Sequence, residues 1–241
     1  MKISILVPAF NEEKLLPAVL QSIQAASQSF LNLGWETELI VCDNNSTDHT
    51  AELARVGGAR VVFEPVNQIG RARNTAAKAA LGDWLLFIDA DSYPSAELFA
   101  DMAVQIQSGR CLAGGACLRI EGQSSVGRRG AKLWNHISRS MRYMAGSCIF
   151  CEASAFREVG GFDEKLFASE EIDLSRKLKK LARQRRQQIV ILDRHPLLTS
   201  ARKLHLYTWR EHLGFILKTV LTGKRNLQRR ENCPTWYDGR R

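Results

Sequence analysis

The chain of 241 residues lacks both a long apolar run and a signal-like N-terminus. No stretch approaches 18 consecutive apolar residues, which is about the length that crosses a membrane as a helix. Residues 1–8 are typical of a short strand and not of a secretory signal peptide. We therefore predict a cytoplasmic protein, and the length allows one α/β domain with a C-terminal extension.

The cysteines lack the spacing of a zinc site or a disulfide framework. Cys148 and Cys151 form a C-x-x-C pair, but no second pair completes a metal site. The surroundings of most cysteines are apolar, which predicts reduced and buried thiols. The six positions are Cys42, Cys111, Cys117, Cys148, Cys151 and Cys233.

Acidic residues are in the minority, with 25 Asp and Glu against 34 Lys and Arg, for a net charge of +9. The basic residues are concentrated in 176–186 and 218–241. This surplus indicates an anionic partner, namely a nucleotide, an anionic lipid surface or a nucleic acid. A solvated helix face followed by a basic tail explains it equally well. Because no nucleic-acid-binding motif accompanies the charge, we predict no nucleic acid partner.

The first half of the chain alternates between strand and helix patterns. Apolar runs predict strands at 3–7, 38–42, 60–63 and 83–88, separated by helices at 12–31, 48–56 and 70–80. This order implies a parallel sheet with right-handed crossovers. The second half is looser, with strands predicted at 112–120, 147–151 and 188–192, helices at 95–108, 132–144, 152–159, 170–186 and 206–221, and a loop at 124–130.

Two carboxylates, Asp89 and Asp91, directly follow the fourth predicted strand. Ligands of open α/β sheets bind beyond the carboxyl ends of the strands. Carboxylate oxygens at this edge suit Mg²⁺ or Mn²⁺, which also coordinate substrate phosphates. The pattern therefore indicates a metal-diphosphate site, although an acidic turn after a strand is common.

The turns after the first two strands are also polar. Residues 8–13 form a turn at which the backbone and a helix N-terminus can approach a nucleotide. Asp43 follows the second strand and can accept a hydrogen bond from a base or a ribose. Ordinary helix capping is the alternative interpretation of both turns.

Together these motifs resemble family 2 glycosyltransferases over roughly residues 1–200. The resemblance rests on VPAFNEE at 7–13, DNNSTD at 43–48, GRARN at 70–74, DAD at 89–91, GGFDE at 160–164 and EEIDL at 170–174. It implies the GT-A fold, an α/β, Rossmann-like fold with a mostly parallel central sheet flanked by helices. The implied domain covers 1–204, with a nucleotide-sugar half at about 1–92 and an acceptor half at about 93–204. A helical, basic C-terminal extension would cover 205–241.

The resemblance also implies roles for individual residues. A UDP-sugar or GDP-sugar donor would bind to Pro8, Ala9, Phe10, Asn11, Glu12, Asp43, Arg71, Asp89 and Ala90. Among these, Asp43 would hydrogen-bond the base, and Arg71 would approach the diphosphate, as suits a guanidinium. Asp91 would be the more direct ligand of the Mg²⁺ or Mn²⁺, with Asp89 beside it.

The catalytic base is expected in the pair Glu170-Glu171. The family pattern here is Glu-Asp, and its second acid acts as the base in inverting members, so Glu171 is the first choice and Glu170 the second. A glutamate keeps the chemistry with one methylene more. Alternatively, the two acids with Asp173 only stabilise a helix N-terminus.

A histidine often completes the metal site in related enzymes. His195, just beyond the strand predicted at 188–192, is the better-placed candidate, ahead of His205. A purely structural histidine is the alternative.

The segment 206–221 is amphipathic and precedes a basic tail. It could lie peripherally on the inner face of an anionic membrane, near a lipid-linked hydroxyl acceptor, or pack against the catalytic domain. The chain lacks a Gln-x-x-Arg-Trp motif, which argues against a processive polysaccharide synthase.

Two other function classes compete with glycosyl transfer. A sugar nucleotidyltransferase would have a glycine-rich, basic turn after the first strand, whereas here this turn is acidic. A catalytically degenerate domain that binds a nucleotide sugar or a partner remains the non-enzymatic alternative.

Overall fold

A computed structural model describes residues 1–121, 125–200, 227, 228 and 231. The strands are β1 (Lys2–Ala9), β2 (Glu36–Asp43), β3 (Arg60–Phe63), β4 (Trp84–Ile88), β5 (Ser92–Tyr93), β6 (Cys111–Ile120), β7 (Cys148–Glu152) and β8 (Gln188–Thr199). The helices are α1 (Leu16–Leu31), α2 (Thr50–Val56), α3 (Ile69–Ala79), α4 (Ala96–Gln107), α5 (Ser125–Met141), α6 (Ala153–Glu158) and α7 (Glu170–Gln184).

These strands form one sheet in the order β3-β2-β1-β4-β7-β6-β8-β5. The pairs β1–β2, β1–β4, β2–β3 and β6–β8 are parallel, and the other three pairs are antiparallel. The first four strands thus confirm the predicted parallel half. Antiparallel pairing begins where β7 inserts between β4 and β6.

The parallel half fixes where the polar turns meet. Ala9 at the end of β1 lies opposite Asp43 at the end of β2, and β4 runs parallel on the other side of β1. Both β1 and β4 are buried almost throughout, as expected for strands covered on both faces. The residues that follow these strands therefore lie at one edge of the sheet.

Helices cover both faces of the sheet. On one face α1 packs against α4, with the rings of Phe30 and Phe99 stacked at a centroid distance of 5.0 Å. On the other face, Phe87 of β4 lies edge-on to Phe162 at 5.2 Å. Five cysteines are buried as free thiols, as predicted, and Cys233 lies outside the described residues.

Three sequence predictions were wrong in their bounds. The loop predicted at 124–130 is helical from Ser125. The glycines that suggested a loop weaken a helix by about 1 kcal/mol each relative to alanine, which does not by itself end the helix. Helix α1 begins at Leu16, with Pro17 in its first turn, rather than at residue 12. Strand β8 continues to Thr199, and Pro196 lies in the irregular stretch of its pairing with β6, where the missing N–H costs no ladder bond.

The predicted division at residues 92 and 204 stays a prediction. The predicted helix at 206–221 and most of the basic tail lie outside the described residues. Among the residues that the structure describes, none belongs to a helix that is long and apolar enough to cross a membrane.

Candidate active site

The turns after β1 and β2 are tied to each other by hydrogen bonds. The backbone N–H of Asn11 donates to Ser46 Oγ at 3.0 Å, and that of Glu12 donates to Thr50 Oγ1 at 2.8 Å. In return, Asn11 Oδ1 accepts from the backbone N–H of Thr47 at 2.8 Å. Asn11 has a positive φ of 52°, which asparagine tolerates better than most residues. The predicted nucleotide-binding residues of both turns are therefore adjacent.

Asp43 is buried at the end of β2. Its Oδ1 accepts the backbone N–H of Ser46 at 3.0 Å, so this carboxylate also stabilises its own turn. The structure thus realises the alternative capping interpretation at least in part. The role of Asp43 in binding a base stays a prediction.

Asp89 and Asp91 follow β4 at the same edge of the sheet. The N–H of Asp89 donates to the carbonyl of Ser147 at 3.3 Å. The carbonyl of Asp91 accepts the N–H of Ser200 at 2.9 Å, next to the end of β8. Main-chain bonds on both sides therefore fix the direction of the acidic turn.

Arg73 joins this turn to the predicted catalytic acids. Its side chain is almost fully buried, with 1% of the residue exposed. Nη2 donates to Asp89 Oδ1 at 2.8 Å and to the carbonyl of Gly146 at 2.9 Å, while Nη1 donates to Glu170 Oε1 at 2.6 Å. One guanidinium therefore connects the residue that follows β4, the first residue of α7 and the turn before β7.

The pKa of Arg73 reflects these neighbours. Burial lowers it, but the carboxylates of Asp89, Glu170 and Glu171 outweigh burial and raise the pKa above its already high ordinary value. Arg73 is therefore a permanent cation at the centre of an acidic cluster.

Sequence reasoning selected Arg71 and missed Arg73. Helix α3 buries six residues, and four of them, Gly70, Arg73, Asn74 and Ala77, are spaced i, i+3, i+4 and i+7. This spacing marks one helix face and could have identified Arg73 as the inward-facing arginine. Arg71 points elsewhere and pairs with Glu164 at 3.1 Å. Its approach to a diphosphate stays a prediction.

The loop before α7 is fixed to α3 by reciprocal hydrogen bonds. Asn74 Nδ2 donates to the carbonyl of Phe162, and the N–H of Phe162 donates back to Asn74 Oδ1, both at 3.0 Å. Gly161 has a φ of 66°, and a Cβ there would lie 2.7 Å from Asn74 Oδ1. This close approach requires glycine and sets the position of the helix that follows.

The two acids that begin α7 differ in their surroundings. Glu170 is 3% exposed and holds the ion pair with Arg73, whereas no described residue lies within ion-pair distance of Glu171, which is partly exposed. Burial raises the pKa of Glu170 although Arg73 opposes the rise. Burial, and then the charge of Glu170, raise the pKa of Glu171 to about 8.

Ser169, directly before α7, adopts a left-handed conformation with a φ of 61°. This conformation costs a residue with a Cβ roughly 1–2 kcal/mol. Such strain is found preferentially at functional sites. The left-handed conformation of Ser169 was not predicted from the sequence.

His195 is not brought together with the acidic turn. Its Nδ1 lies 2.9 Å from Asp101 Oδ2 on α4. The residue of β8 that pairs with Ser92 is Thr199, four positions further along, or about 13 Å along a strand. The metal-ligand role of His195 stays a prediction, and its ring already has a carboxylate partner. His205 lies outside the described residues.

The two carboxylates of the acidic turn fit a hard cation whose coordination shell is completed by substrate oxygens. Within the described ranges, no group of three or more His, Cys, Asp or Glu side chains is arranged to hold a metal ion. Asp89 and Asp91 supply oxygen ligands only, and Mg²⁺ typically binds one or two carboxylates together with substrate phosphates. A cation held by these two residues would therefore complete its coordination shell with water and with phosphate oxygens of a bound substrate.

The α/β sheet, with polar turns gathered at the carboxyl ends of its parallel strands, defines a GT-A domain. Residues 4–159 match the family model described as glycosyl transferase family 2, and the chain belongs to this family. This confirms the resemblance seen in the sequence motifs.

Two relatives illustrate the range of the family. Over 113 residues, or 44% of this chain, the sequence is 34% identical to poly(ribitol-phosphate) beta-N-acetylglucosaminyltransferase TarS of Staphylococcus aureus, of which the match covers 19%. It is likewise 34% identical over 113 residues to an uncharacterized glycosyltransferase of Mycobacterium tuberculosis, with 47% of each chain covered. The chain thus matches less than half the length of either relative.

Solved structures share the fold. The crystal structure of residues 1–349 of S. aureus TarS has a TM-score of 0.65 at 24% identity, covering 99% of this chain and 78% of that one. Glucosyl-3-phosphoglycerate synthase of M. tuberculosis, in complex with Mn²⁺, UDP-glucose and phosphoglyceric acid, has a TM-score of 0.64 at 21% identity, covering 91% of this chain and 77% of that one. A mannosyltransferase of Pyrobaculum calidifontis with GDP-mannose and Mn²⁺ has a TM-score of 0.67 at 16% identity, covering 94% and 62%.

Proposed function

We propose that this protein transfers a sugar from a UDP-sugar or GDP-sugar to a hydroxyl acceptor, with inversion at the anomeric carbon and with Mg²⁺ or Mn²⁺. The observation that carries the proposal is the bridge that Arg73 forms between Asp89 and Glu170. It gathers the acidic turn after β4 and the acids of α7 into one cluster. Donor binding and proton removal thereby share one centre.

The reaction is a single displacement. The acceptor oxygen forms a bond to the anomeric carbon as the bond from that carbon to the diphosphate oxygen breaks. The nucleoside diphosphate departs with the electron pair, and Glu171 takes the proton of the acceptor hydroxyl. Attack opposite the leaving group inverts the configuration.

The surroundings favour Glu171 over Glu170 as the base. Glu170 is held by Arg73 at 2.6 Å and is therefore committed to the ion pair. Glu171 is partly exposed, and its pKa of about 8 is close to that of an efficient general base at neutral pH. Arg73 would act as a positioning residue for both acids.

Asp89 and Asp91 would hold the cation. When bound, it would supply Lewis-acid stabilisation of the charge that develops on the diphosphate. Complexes of the related synthase and mannosyltransferase contain Mn²⁺ with a nucleotide sugar, which supports a divalent cation here.

Thermal unfolding with UDP or GDP, each with and without Mn²⁺, tests the donor site. A ligand at 100 times its dissociation constant stabilises the folded state by about 2.7 kcal/mol. For a chain of this size that corresponds to a rise in Tm of roughly 5–10 °C. We expect one diphosphate to produce the shift only with Mn²⁺, and the variant Asp91→Asn to lose it.

Asp193→Asn is the matched control, because Asp193 is half-exposed and pairs with Arg139. It should retain the shift. No shift with either diphosphate, or a shift that survives in Asp91→Asn, would contradict the proposed donor site.

A further inference from the structure

Helix α5 differs from the other long helices in how little of itself it buries. Among residues 129–141 only Ser138 is buried, whereas α1 buries seven residues along its length. Asn135 attaches α5 to β6 through two hydrogen bonds with the backbone of Leu118, at 2.8 and 2.9 Å. Most helices in proteins are stabilised by packing an apolar face, whereas residues 129–141 of α5 leave theirs exposed within the part of the chain that the structure describes.

The unpacked face of α5 is apolar. Leu133, Ile137 and Met141 are exposed at 64%, 38% and 47%, and their i, i+4, i+8 spacing aligns them in one stripe. Trp134, half-buried at the edge of this stripe, is of the type enriched at membrane–water interfaces. Leu133, Ile137 and Met141 are called the α5 stripe below.

The flank of the α5 stripe is basic. Arg129, Lys132 and His136 are exposed beside it, and α5 contains no acidic residue. The basic surface continues onto α7, where Lys179 Nζ donates to the carbonyl of Met141 at 2.6 Å. An apolar stripe with a cationic flank is the pattern of a helix that lies in a membrane interface.

We propose that α5 docks this protein on an anionic lipid bilayer. The α5 stripe would enter the boundary between headgroups and acyl chains, while Arg129 and Lys132 contact lipid phosphates. This surface is separate from the proposed donor site, and its test does not depend on transfer activity.

Charge complementarity selects this occupant over two others. Residues 201–226 of the same chain have a basic sequence, with Glu211 as their one acid against six lysines and arginines, so their charge does not complement the flank of α5. A nucleic acid would match the flank but would leave the α5 stripe in water. An anionic bilayer satisfies both the charge and the apolar surface.

The position of α5 relates the bilayer to the active site. Gly146, whose carbonyl accepts from Arg73, is five residues beyond Met141. Even a fully extended chain of that length spans less than about 18 Å. A bilayer that contacts Met141 would therefore lie within about 18 Å of Gly146, on the side from which a hydroxyl acceptor carried on a lipid would approach.

Co-sedimentation of the full chain with vesicles tests the proposal. We expect binding to mixed vesicles of phosphatidylcholine and phosphatidylglycerol at low salt, and little binding to phosphatidylcholine alone. Because each basic residue near such a surface contributes about fivefold in affinity, the double variant Arg129→Gln/Lys132→Gln should bind about 25-fold more weakly. The double variant Leu133→Ser/Ile137→Ser should bind the vesicles at least about tenfold more weakly, because it removes two apolar side chains from the α5 stripe.

The matched control is Arg55→Gln/Val56→Ser on α2, which removes one exposed arginine and one valine that is 81% exposed. It should bind as the unaltered protein does, and all variants should keep their Tm. Absence of binding to the anionic vesicles, or equal binding by the α5 variants and the control, would overturn the proposal. Binding of RNA through α5 without vesicle binding would overturn it as well.

Discussion

Replacing Arg73 with methionine is expected to lower the free energy of unfolding by about 3–5 kcal/mol. The guanidinium lies 2.6 Å from Glu170 and 2.8 Å from Asp89, and the side chains of Arg73 and Glu170 are only 2% and 5% exposed. Removing one partner of a buried ion pair leaves an uncompensated charge, which costs about this much. Methionine retains apolar contact with Phe162, over whose ring the guanidinium lies.

The cost should depend on pH. Burial already raises the pKa of Glu170, and Arg73 opposes that rise, so the variant should raise this pKa further. A carboxyl group whose pKa is higher in the folded than in the unfolded state contributes its full stability at a pH below the pKa of the unfolded state, which is near 4.5. Stability is then lost as pH rises from there through the folded pKa. The deficit of Arg73→Met should therefore be larger at pH 7 than near pH 4.5.

Urea unfolding at both pH values measures this effect, and Arg71→Met is the control. Arg71 has a side chain that is 32% exposed and pairs with Glu164, so its loss should cost less than about 1 kcal/mol. Adding Glu170→Gln to Arg73→Met should recover part of the loss, because the buried charge is removed. A cost for Arg73→Met no larger than for Arg71→Met, or equal at both pH values, would refute the reasoning.

Two further predictions concern the same centre. If Glu171 is the base, its pKa of about 8 implies that kcat/KM for transfer rises about tenfold per pH unit up to about pH 8, and a flat profile down to pH 5 would contradict this. Gly146→Ala would place a Cβ 3.1 Å from Arg73 Nη2, and we expect a loss of about 1–3 kcal/mol in urea unfolding. Gly130→Ala on α5, where no atom of the described residues lies within 4 Å of an added Cβ, should instead gain up to about 1 kcal/mol, so equal effects of the two substitutions would speak against the packing argument.

The parallel half of the sheet could be predicted from the sequence because its strands are short apolar runs buried on both faces. Strand β3 has the predicted bounds, and β1, β2 and β4 differ from theirs by one to two residues at an end. The two-residue strand β5 left no such signal, since its pairing depends on β8, more than 100 residues away in the chain.

The acids of the site could be located from their places after β4 and before α7, but their connection could not. Local spacing around Arg73 marks an inward-facing residue, yet the identity of its partners is decided by tertiary packing of α3 against α7. The left-handed conformation of Ser169 is likewise imposed by the fold and has no local sequence signature.

At the start of helix α5 the sequence prediction of a loop was wrong. Its glycines and serines predicted a loop at 124–130, whereas the helix predicted at 132–144 begins at Ser125 and ends at Met141. Intrinsic propensity is a weak prior, and it was overridden here.

The variant Glu171→Gln tests the central claim most directly, by measuring turnover and donor binding on the same preparation. Glutamine keeps the shape of the side chain but cannot take a proton. The account predicts that kcat falls by about 10²–10⁴, the usual contribution of a general base, while the dissociation constant of the nucleoside diphosphate is unchanged. Turnover that persists in this variant would contradict the assignment of Glu171 as the base.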